Sequence, residues 1–409
     1  MKVGRGWRLS LKAAAWSIIW LIGAVSIPAQ QIVTLEEVGS ALIPNEYYWA
    51  NDISADGSVF VGDFQGGGFR FVGNEVTIIP EMRLFGISDD GEIAVGVIDH
   101  GEQVIEPAMW VDGTVTALGY PFESTQAWTR SISGNGQVIA GTALDEDSGW
   151  ATFKWEGSAM STVPYFKPVN LSHDGSIVVG NSGSFSGDGY TLENGLLENL
   201  ETLPGHMACS PADITDDKSI IVGGSIALDW VIYACRWVNG SIEALEEIPG
   251  SISSVAWRVS GDGSVILGYN WTDSYSGLVI WSAVNDFAPV SLHDLLLDNG
   301  IDPQIIDTNV KVLGAIGDDG MHPHLSEDGT TIIISKDAGY PQFIRIKILD
   351  EPATFGPYDI IDGFADTEDW LGVLYVELAP WVYCYDMECW LFILEEHVGE
   401  DGGWAFVSQ

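Results

Sequence analysis

One short phrase recurs seven times along the chain and limits its fold more than any other feature. The clearest copies are Asp52-Ile53-Ser54-Ala55-Asp56-Gly57-Ser58-Val59-Phe60-Val61-Gly62 and Arg258-Val259-Ser260-Gly261-Asp262-Gly263-Ser264-Val265-Ile266-Leu267-Gly268. The Ser/Thr anchors are Ser54, Ser88, Ser133, Ser172, Thr215, Ser260 and Ser326. After each anchor comes a turn pair: Asp56-Gly57, Asp90-Gly91, Asn135-Gly136, Asp174-Gly175, Asp262-Gly263 and Asp328-Gly329. In the fifth copy Lys218 follows Asp217 where the others have glycine, so that turn is expected to differ. A period of about 40 residues marks a repeat architecture, in which each unit is too small to bury its apolar face alone.

Within a unit the pattern reads as four short strands. In the third, Trp128 to Ser133 is the first strand, Gly134-Asn135-Gly136 turns the chain, and Gln137 to Thr142, β-branched and apolar, is the second. Asn-Gly pairs favour tight hairpins. Ala151 to Trp155 then alternates as a half-buried strand should, Glu156-Gly157 turns again, and Ala159 to Val163 completes the set. An aromatic residue recurs on the third strand as Phe71, Trp110, Trp155, Trp237 and Trp281. That regularity predicts packing between units rather than a sugar-stacking array.

Four antiparallel strands per unit predict an all-β, seven-bladed propeller over residues 30–350. The seventh unit lacks a fourth strand. The segment Ile32 to Val38 matches the fourth strand Ile242 to Ile248, so it is predicted to pair with Phe343 to Ile348 and close the ring. The alternative fold is an open β-solenoid, which needs no such complement. Leu292, Leu295 and Leu296 share one helical face, and Asn299-Gly300 has the character of a C-cap, which predicts a short helix over 291–300.

The flanks differ from the array. Lys2, Arg5, Arg8 and Lys12 precede the apolar run Ala13 to Ile27, and Ile27-Pro28-Ala29 offers a cleavage site, so residues 1–29 read as a signal peptide. The run is short of the roughly 20 residues a bilayer span requires. Beyond residue 29 the chain has 12 basic against 58 acidic residues, which argues against nucleic acid and anionic membranes as partners. Residues 351–359 read as a linker, and 360–409 as a separate small β unit crowded with aromatic residues. In an exported chain an even cysteine count permits disulfides, with Cys384–Cys389 across a hairpin and Cys209–Cys235 within one repeat as the candidates. The second pair would lie on strands separated by a third, beyond disulfide reach unless Cys209 sits in a loop.

The recurring Ile-Ser-x-Asp-Gly-x-x-Val-x-Gly phrase, followed by an aromatic-x-Trp and a turn, resembles the HAF-type extracellular repeat. This resemblance spans roughly residues 30 to 350 and implies an exported, propeller-like array without an assigned activity. Trp370 to Val376, Ala379 to Tyr383, Cys389 to Phe392 and Gly403 to Phe406 resemble a tryptophan-rich C-terminal tail found on unrelated exported bacterial proteins. That likeness implies sorting to, or attachment at, the cell surface. Glu388-Cys389-Trp390 replaces the tail's usual Leu-Gly-Trp.

No nucleophile elbow, phosphate loop or Cys/His constellation is present, so no catalytic residue and no cofactor are expected. The Asp-Gly turns could offer oxygen ligands to Ca²⁺, but their spacing fits no EF-hand. The stronger reading has each Asp accepting backbone N–H bonds within its own turn. His322-Pro323-His324 has a metal-like spacing, yet Pro323 disfavours a regular strand, and a solvated loop is expected. The expected function is therefore non-enzymatic: an exported, surface-associated monomer that binds an extracellular protein or glycan. The alternative is a secreted glycan hydrolase or lyase on the same scaffold. Asp/Glu with His or Arg at the channel mouth would favour the enzyme, and small residues there would favour binding.

Overall fold

The computed structural model describes residues 31–350, apart from 40–47, 146–148, 164–165, 184–186, 273–275, 305–321 and 336–342, together with strands between 354 and 407. The predicted signal peptide lies outside the described residues. The chain is a seven-bladed β-propeller of four-stranded antiparallel blades. Blade one comprises Tyr48–Ile53, Val59–Phe64, Gly67–Val72 and Glu75–Ile79. The first strands of the next six blades are Arg83–Ile87, Ala127–Ile132, Lys167–Leu171, Ala208–Ile214, Ser253–Val259 and His324–Leu325. Each first strand touches the next, and the last touches the first, so they ring the axis.

The ring closes as the missing strand predicts. Gln31–Val38 pairs antiparallel with Phe343–Asp350, from Gln31 opposite Asp350 to Val38 opposite Phe343. Blade seven thus takes three strands from the end of the array and one from its start. This excludes the open solenoid, and it leaves no lateral edge between terminal blades.

The repeat phrase is a hydrogen-bonded turn. Ser54 Oγ donates to Asp56 Oδ1 at 2.8 Å and accepts the Val59 N–H at 3.0 Å, while the same Asp56 oxygen accepts the Ser58 N–H at 2.9 Å. The other six copies repeat this pattern. Gly57 has φ +68°, and a Cβ there would lie 2.5 Å from the Thr331 side chain of blade seven. Lys218 departs from expectation. It keeps the same turn at φ +66°, with its N–H on the Thr215 carbonyl at 3.0 Å, and its Nζ reaches Asp174 Oδ2 at 2.9 Å. The turn's hydrogen bonds outweigh the modest penalty of left-handed backbone for a non-glycine residue.

The third-strand aromatics pack inward: Phe71, Trp110, Trp237 and Trp281 are buried, and Trp155 packs against the Val95–Ile132–Ile139 cluster. Trp237 Nε1 donates to the Glu201 carbonyl at 2.8 Å and Trp281 Nε1 to the Glu246 carbonyl at 2.7 Å. The predicted helix is Leu292–Asp298, with Leu292, Leu295 and Leu296 buried and Gly300 at φ +71° beyond its end. Cys209 and Cys235 are separate buried thiols, which corrects the candidate disulfide. They stand on the two strands that flank Ile220–Ile226, so a whole strand intervenes.

Pro352–Gln409 belongs to a second compact unit. Thr354–Phe355 and Tyr358–Ile361 are strands of its sheet, so the segment read as a linker is partly structured. Cys384 and Cys389 are register partners across Trp381–Cys384 and Cys389–Phe392, the juxtaposition expected of them. The Cys389 side chain lies outside the described residues.

Candidate functional site

A cavity of about 430 Å³ opens among the upstream halves of the first strands. Its position follows from a backbone irregularity that recurs blade after blade. The register between first and second strands slips at Ala50/Asp52, Leu84/Gly86, Thr129/Ser131, Pro168/Asn170, Pro211/Asp213 and Ala256/Arg258. A β-bulge adds a residue to one strand and re-aims side chains. Five of the six bulged residues, Asn51, Phe85, Arg130, Val169 and Trp257, line the cavity.

The lining inverts the charge of the rest of the protein. Arg83, Arg130, Lys167 and Arg258 converge there, four of the 12 basic residues after residue 29, with Asp63 the lone acid. Asp63 is committed: its Oδ2 accepts from Arg83 Nε at 2.7 Å and its Oδ1 from Asn51 Nδ2 at 2.8 Å. Between the cations stand Trp49, Trp128, Trp257 and Phe85. The Arg83 guanidinium lies 5.3 Å from the Phe85 ring centre, and the Phe85 and Trp128 rings are 6.2 Å apart. Trp257 stacks on His322 at 3.9 Å, and its Nε1 is closed off without a hydrogen-bond partner.

His324 is buried at the back of this wall rather than solvated, which corrects the loop expected at His322-Pro323-His324. Burial, the Arg258 charge and His322 hold its imidazole well below the usual histidine range, so it is neutral at physiological pH. Its Nδ1 has no hydrogen-bond partner.

Below the cavity, Asp52, Ser131, Asn170 and Asp213, each two residues before an anchor, tie blades together. Asp213 Oδ2 accepts the Val259 N–H of the next blade at 3.0 Å and Oδ1 accepts its own Ile214 N–H at 2.9 Å. Asn170 accepts from Ser131 Oγ at 2.7 Å and donates to Asp213 Oδ1. Burial pushes the Asp52 carboxyl up to about 7 and raises that of Asp213, while the Arg258 charge opposes both shifts. Arg258 therefore serves the cavity wall and counters this buried acidic layer.

The turn residues singled out in the sequence lie elsewhere, at the downstream ends of the first strands. Asp56, Asp90, Asp174, Asp262 and Asp328, and Asn135 in the same place, each use a side-chain oxygen within the turn. Of the residues framing the cavity, only His322 and His324 stand out in the sequence as candidate ligands.

Fold and cavity together define a seven-bladed β-propeller with a basic, aromatic mouth. Solved structures share this fold at low identity. An oligogalacturonate lyase in complex with manganese is 12% identical, with a TM-score of 0.55 over 79% of this chain and 98% of that one. An oligogalacturonate lyase from Vibrio parahaemolyticus is 13% identical, with a TM-score of 0.52 over 77% of this chain and 97% of that one. The β-propeller domain of the Trilobed protease from Pyrococcus furiosus, described as an open velcro topology, is 8% identical, with a TM-score of 0.52 over 76% and 96%. No family model and no curated protein matches the chain.

Proposed function

We propose that this protein is an exported propeller that binds an acidic glycan, an oligosaccharide carrying carboxylates, in its basic aromatic mouth. The observation that carries the reading is the gathering of Arg83, Arg130, Lys167 and Arg258 among three tryptophans in a chain of net charge −42. Guanidinium groups match carboxylates in a bidentate fork, and indole faces cover the apolar faces of sugar rings. The cavity volume suits two or three sugar units, within the usual range for small-ligand sites. Strong overall acidity would repel such a ligand everywhere else, which confines binding to the mouth. Calorimetry with oligogalacturonate and a neutral oligosaccharide of equal length tests this. Binding of the acidic sugar alone, weakened by salt and lost in Arg130→Ala and Trp257→Ala, is expected. Equal binding of the neutral sugar, or none of either, overturns it.

A β-eliminative lyase is the second reading, favoured by neutral His324 beside Arg258. Arg258 would pair with a uronate carboxylate while His324 Nδ1 takes the proton alpha to it. The electron pair of that C–H bond forms a C=C bond, the C–O bond at the neighbouring carbon breaks, and the departing oxygen takes a proton from solvent water. Appearance of the unsaturated product's ultraviolet absorbance, lost in His324→Ala, would establish the enzyme.

The tail, residues 360–409, we assign to surface sorting or attachment. The support is its aromatic composition and its place in a compact unit apart from the propeller. A chain ending at Asp350 is expected to fold and appear in the medium. Retention on the cell would remove that role.

A further inference from the structure

The residues one past each anchor form a second ring at the turn end of the channel, away from the basic mouth. They are Ala55, Asp89, Gly134, His173, Asp216, Gly261 and Glu327. Backbone bonds join them round the axis: Ala55 N–H to the Asp89 carbonyl at 3.0 Å, Asp89 N–H to Gly134 at 2.9 Å, Asp216 N–H to Gly261 at 3.0 Å and Gly261 N–H to Glu327 at 2.8 Å. Asn135 N–H donates to the His173 carbonyl at 3.0 Å and Asp328 N–H to the Ala55 carbonyl at 2.9 Å, so these bonds span six of the seven steps between blades.

Two carboxylates and one imidazole are thereby brought from three blades to one place, and the Glu327 carboxyl of blade seven lies beside Asp216. His173 Nδ1 lies 2.6 Å from Asp89 Oδ2 and 3.9 Å from Asp216 Oδ1, and the three ligand atoms lie within 4.8 Å of one another. The small ring members make the space. A Cβ on Gly134 would collide with the Asp89 carboxylate and His173 Nδ1. One on Gly261 would lie 2.6 Å from Asp216 Oδ2 and 3.0 Å from Glu327 Oε2.

Glu327 sets this cluster apart from an ordinary acidic surface. Its Oε2 is sealed from solvent, faces Asp216 across Gly261, and has no hydrogen-bond partner. A buried carboxylate without a partner is costly, and like charges beside it add to the cost. Burial above all, with the charges of Asp213, Asp216, Asp89 and Asp52, drives its carboxyl well above the usual range. Asp216 is raised for the same reasons, with His173 opposing.

We propose that Asp89, His173, Asp216 and Glu327 bind one divalent transition-metal ion, of the Mn²⁺ to Zn²⁺ series, which rivets the turn end of the propeller. An imidazole among carboxylates suits these ions, whereas Ca²⁺ and Mg²⁺ take oxygen alone. Ligand atoms at about 2.1 Å from a tetrahedral ion stand about 3.4 Å apart, and the 2.6 and 3.9 Å separations of His173 from Asp89 and Asp216 bracket that spacing. His173 and Asp216 are exposed, so an ion enters from the turn face. The ion supplies Glu327 with its missing partner and joins blades two, four, five and seven across the axis.

The test uses the full chain stripped with a chelator, titrated with Zn²⁺, Mn²⁺ or Ca²⁺ and followed by calorimetry and thermal melting. One equivalent of Zn²⁺ or Mn²⁺ is expected to bind and to raise the melting temperature by several degrees, roughly 5 °C. Ca²⁺ should do neither. Glu327→Gln and Asp216→Asn should weaken binding at least tenfold, and Glu327→Gln should melt no lower than the stripped parent, because it replaces a buried acid group that has no partner and sits among like charges. Co²⁺ bound to the parent should give visible absorption that Zn²⁺ abolishes, a readout needing no variant. No uptake by the parent, uptake unchanged in both variants, or equal uptake of Ca²⁺ overturns the proposal.

Discussion

The carboxylate of Asp52 in blade one accepts the backbone N–H of Ile87 in blade two at 2.8 Å, while its other oxygen accepts the N–H of Ile53 at 3.0 Å. One side chain thus serves the bulged strand of its own blade and the start of the next. Its carboxyl is pushed up from 3.8 to about 7, burial outweighing both hydrogen bonds and Arg258. Between those values the folded chain holds a proton that the unfolded chain has lost, so stability contributed there falls as pH rises. Asp52→Asn removes one such proton. The parent's unfolding free energy should decline relative to the variant's by about 1.4 kcal/mol per pH unit between about pH 4 and 7. Denaturant titrations of the two proteins over that range measure it, and parallel profiles would refute the shift.

The turn aspartates titrate in the other direction. Hydrogen bonds to Ser58 hold Asp56 below the usual carboxylate range, and those to Ser88 and Glu92 do the same for Asp90. Their contribution is present above pH 4 or so and is lost as the solution is acidified. Asp56→Asn and Asp90→Asn together should lower stability at neutral pH and flatten the acid limb of the stability curve below about pH 4. An acid limb as steep as the parent's would show that the turns do not carry it.

Gly57 and Gly73 both have positive φ, +68° and +58°, but only Gly57 is crowded, by Thr331. Gly73 faces nothing within 4 Å. Valine at either position meets the same backbone penalty, so the difference between the two variants isolates the clash between blades one and seven. Gly57→Val should lower the melting temperature several degrees more than Gly73→Val. Equal losses would mean the blades yield at that contact.

Trp281 is fully buried and its Nε1 is bonded to the Glu246 carbonyl, whereas Trp230 is 56% exposed. Trp281→Ala should cost about 3–5 kcal/mol, from the cavity and the orphaned carbonyl together. Trp230→Ala should change stability by about 0.5 kcal/mol or less. Equilibrium unfolding distinguishes them, and a mild Trp281→Ala would contradict the reading of this residue as a blade-to-blade wedge.

Removing Gln31–Val38 strips eight paired residues from blade seven and exposes Phe343–Asp350 as an edge. Aggregation or a fall in melting temperature of roughly 10 °C or more is expected for so large a loss of pairing. Supplying the missing strand as a peptide should restore part of it. A deletion variant that melts with the parent would mean the ring does not depend on this closure.

The sequence by itself determined the scaffold. Each Ser-x-Asp-Gly phrase builds its turn from bonds within six residues, so local chemistry suffices to locate it, and counting phrases counts blades. The orphan strand at Ile32 to Val38 was legible because an antiparallel blade with three strands leaves an unsatisfied edge. Lys218 breaks the phrase without changing the turn, because the turn's own bonds hold its backbone without glycine.

Only the tertiary structure decided the two clusters. Asn51, Phe85, Arg130, Val169 and Trp257 each lie three residues before an anchor, and Asp89, His173, Asp216 and Glu327 each lie one after. Aligning the copies on their anchors would have collected both sets, but not shown that they meet. Within a repeat each is a single variable residue, and Arg130 is no more conspicuous than Arg236. A closed ring of seven strands brings equivalent positions to one axis, and the bulge rather than the alternation of the strand sets which side chain faces it. Residues more than two hundred apart, such as Asp89 and Glu327, become electrostatic neighbours only when the last blade docks on the first.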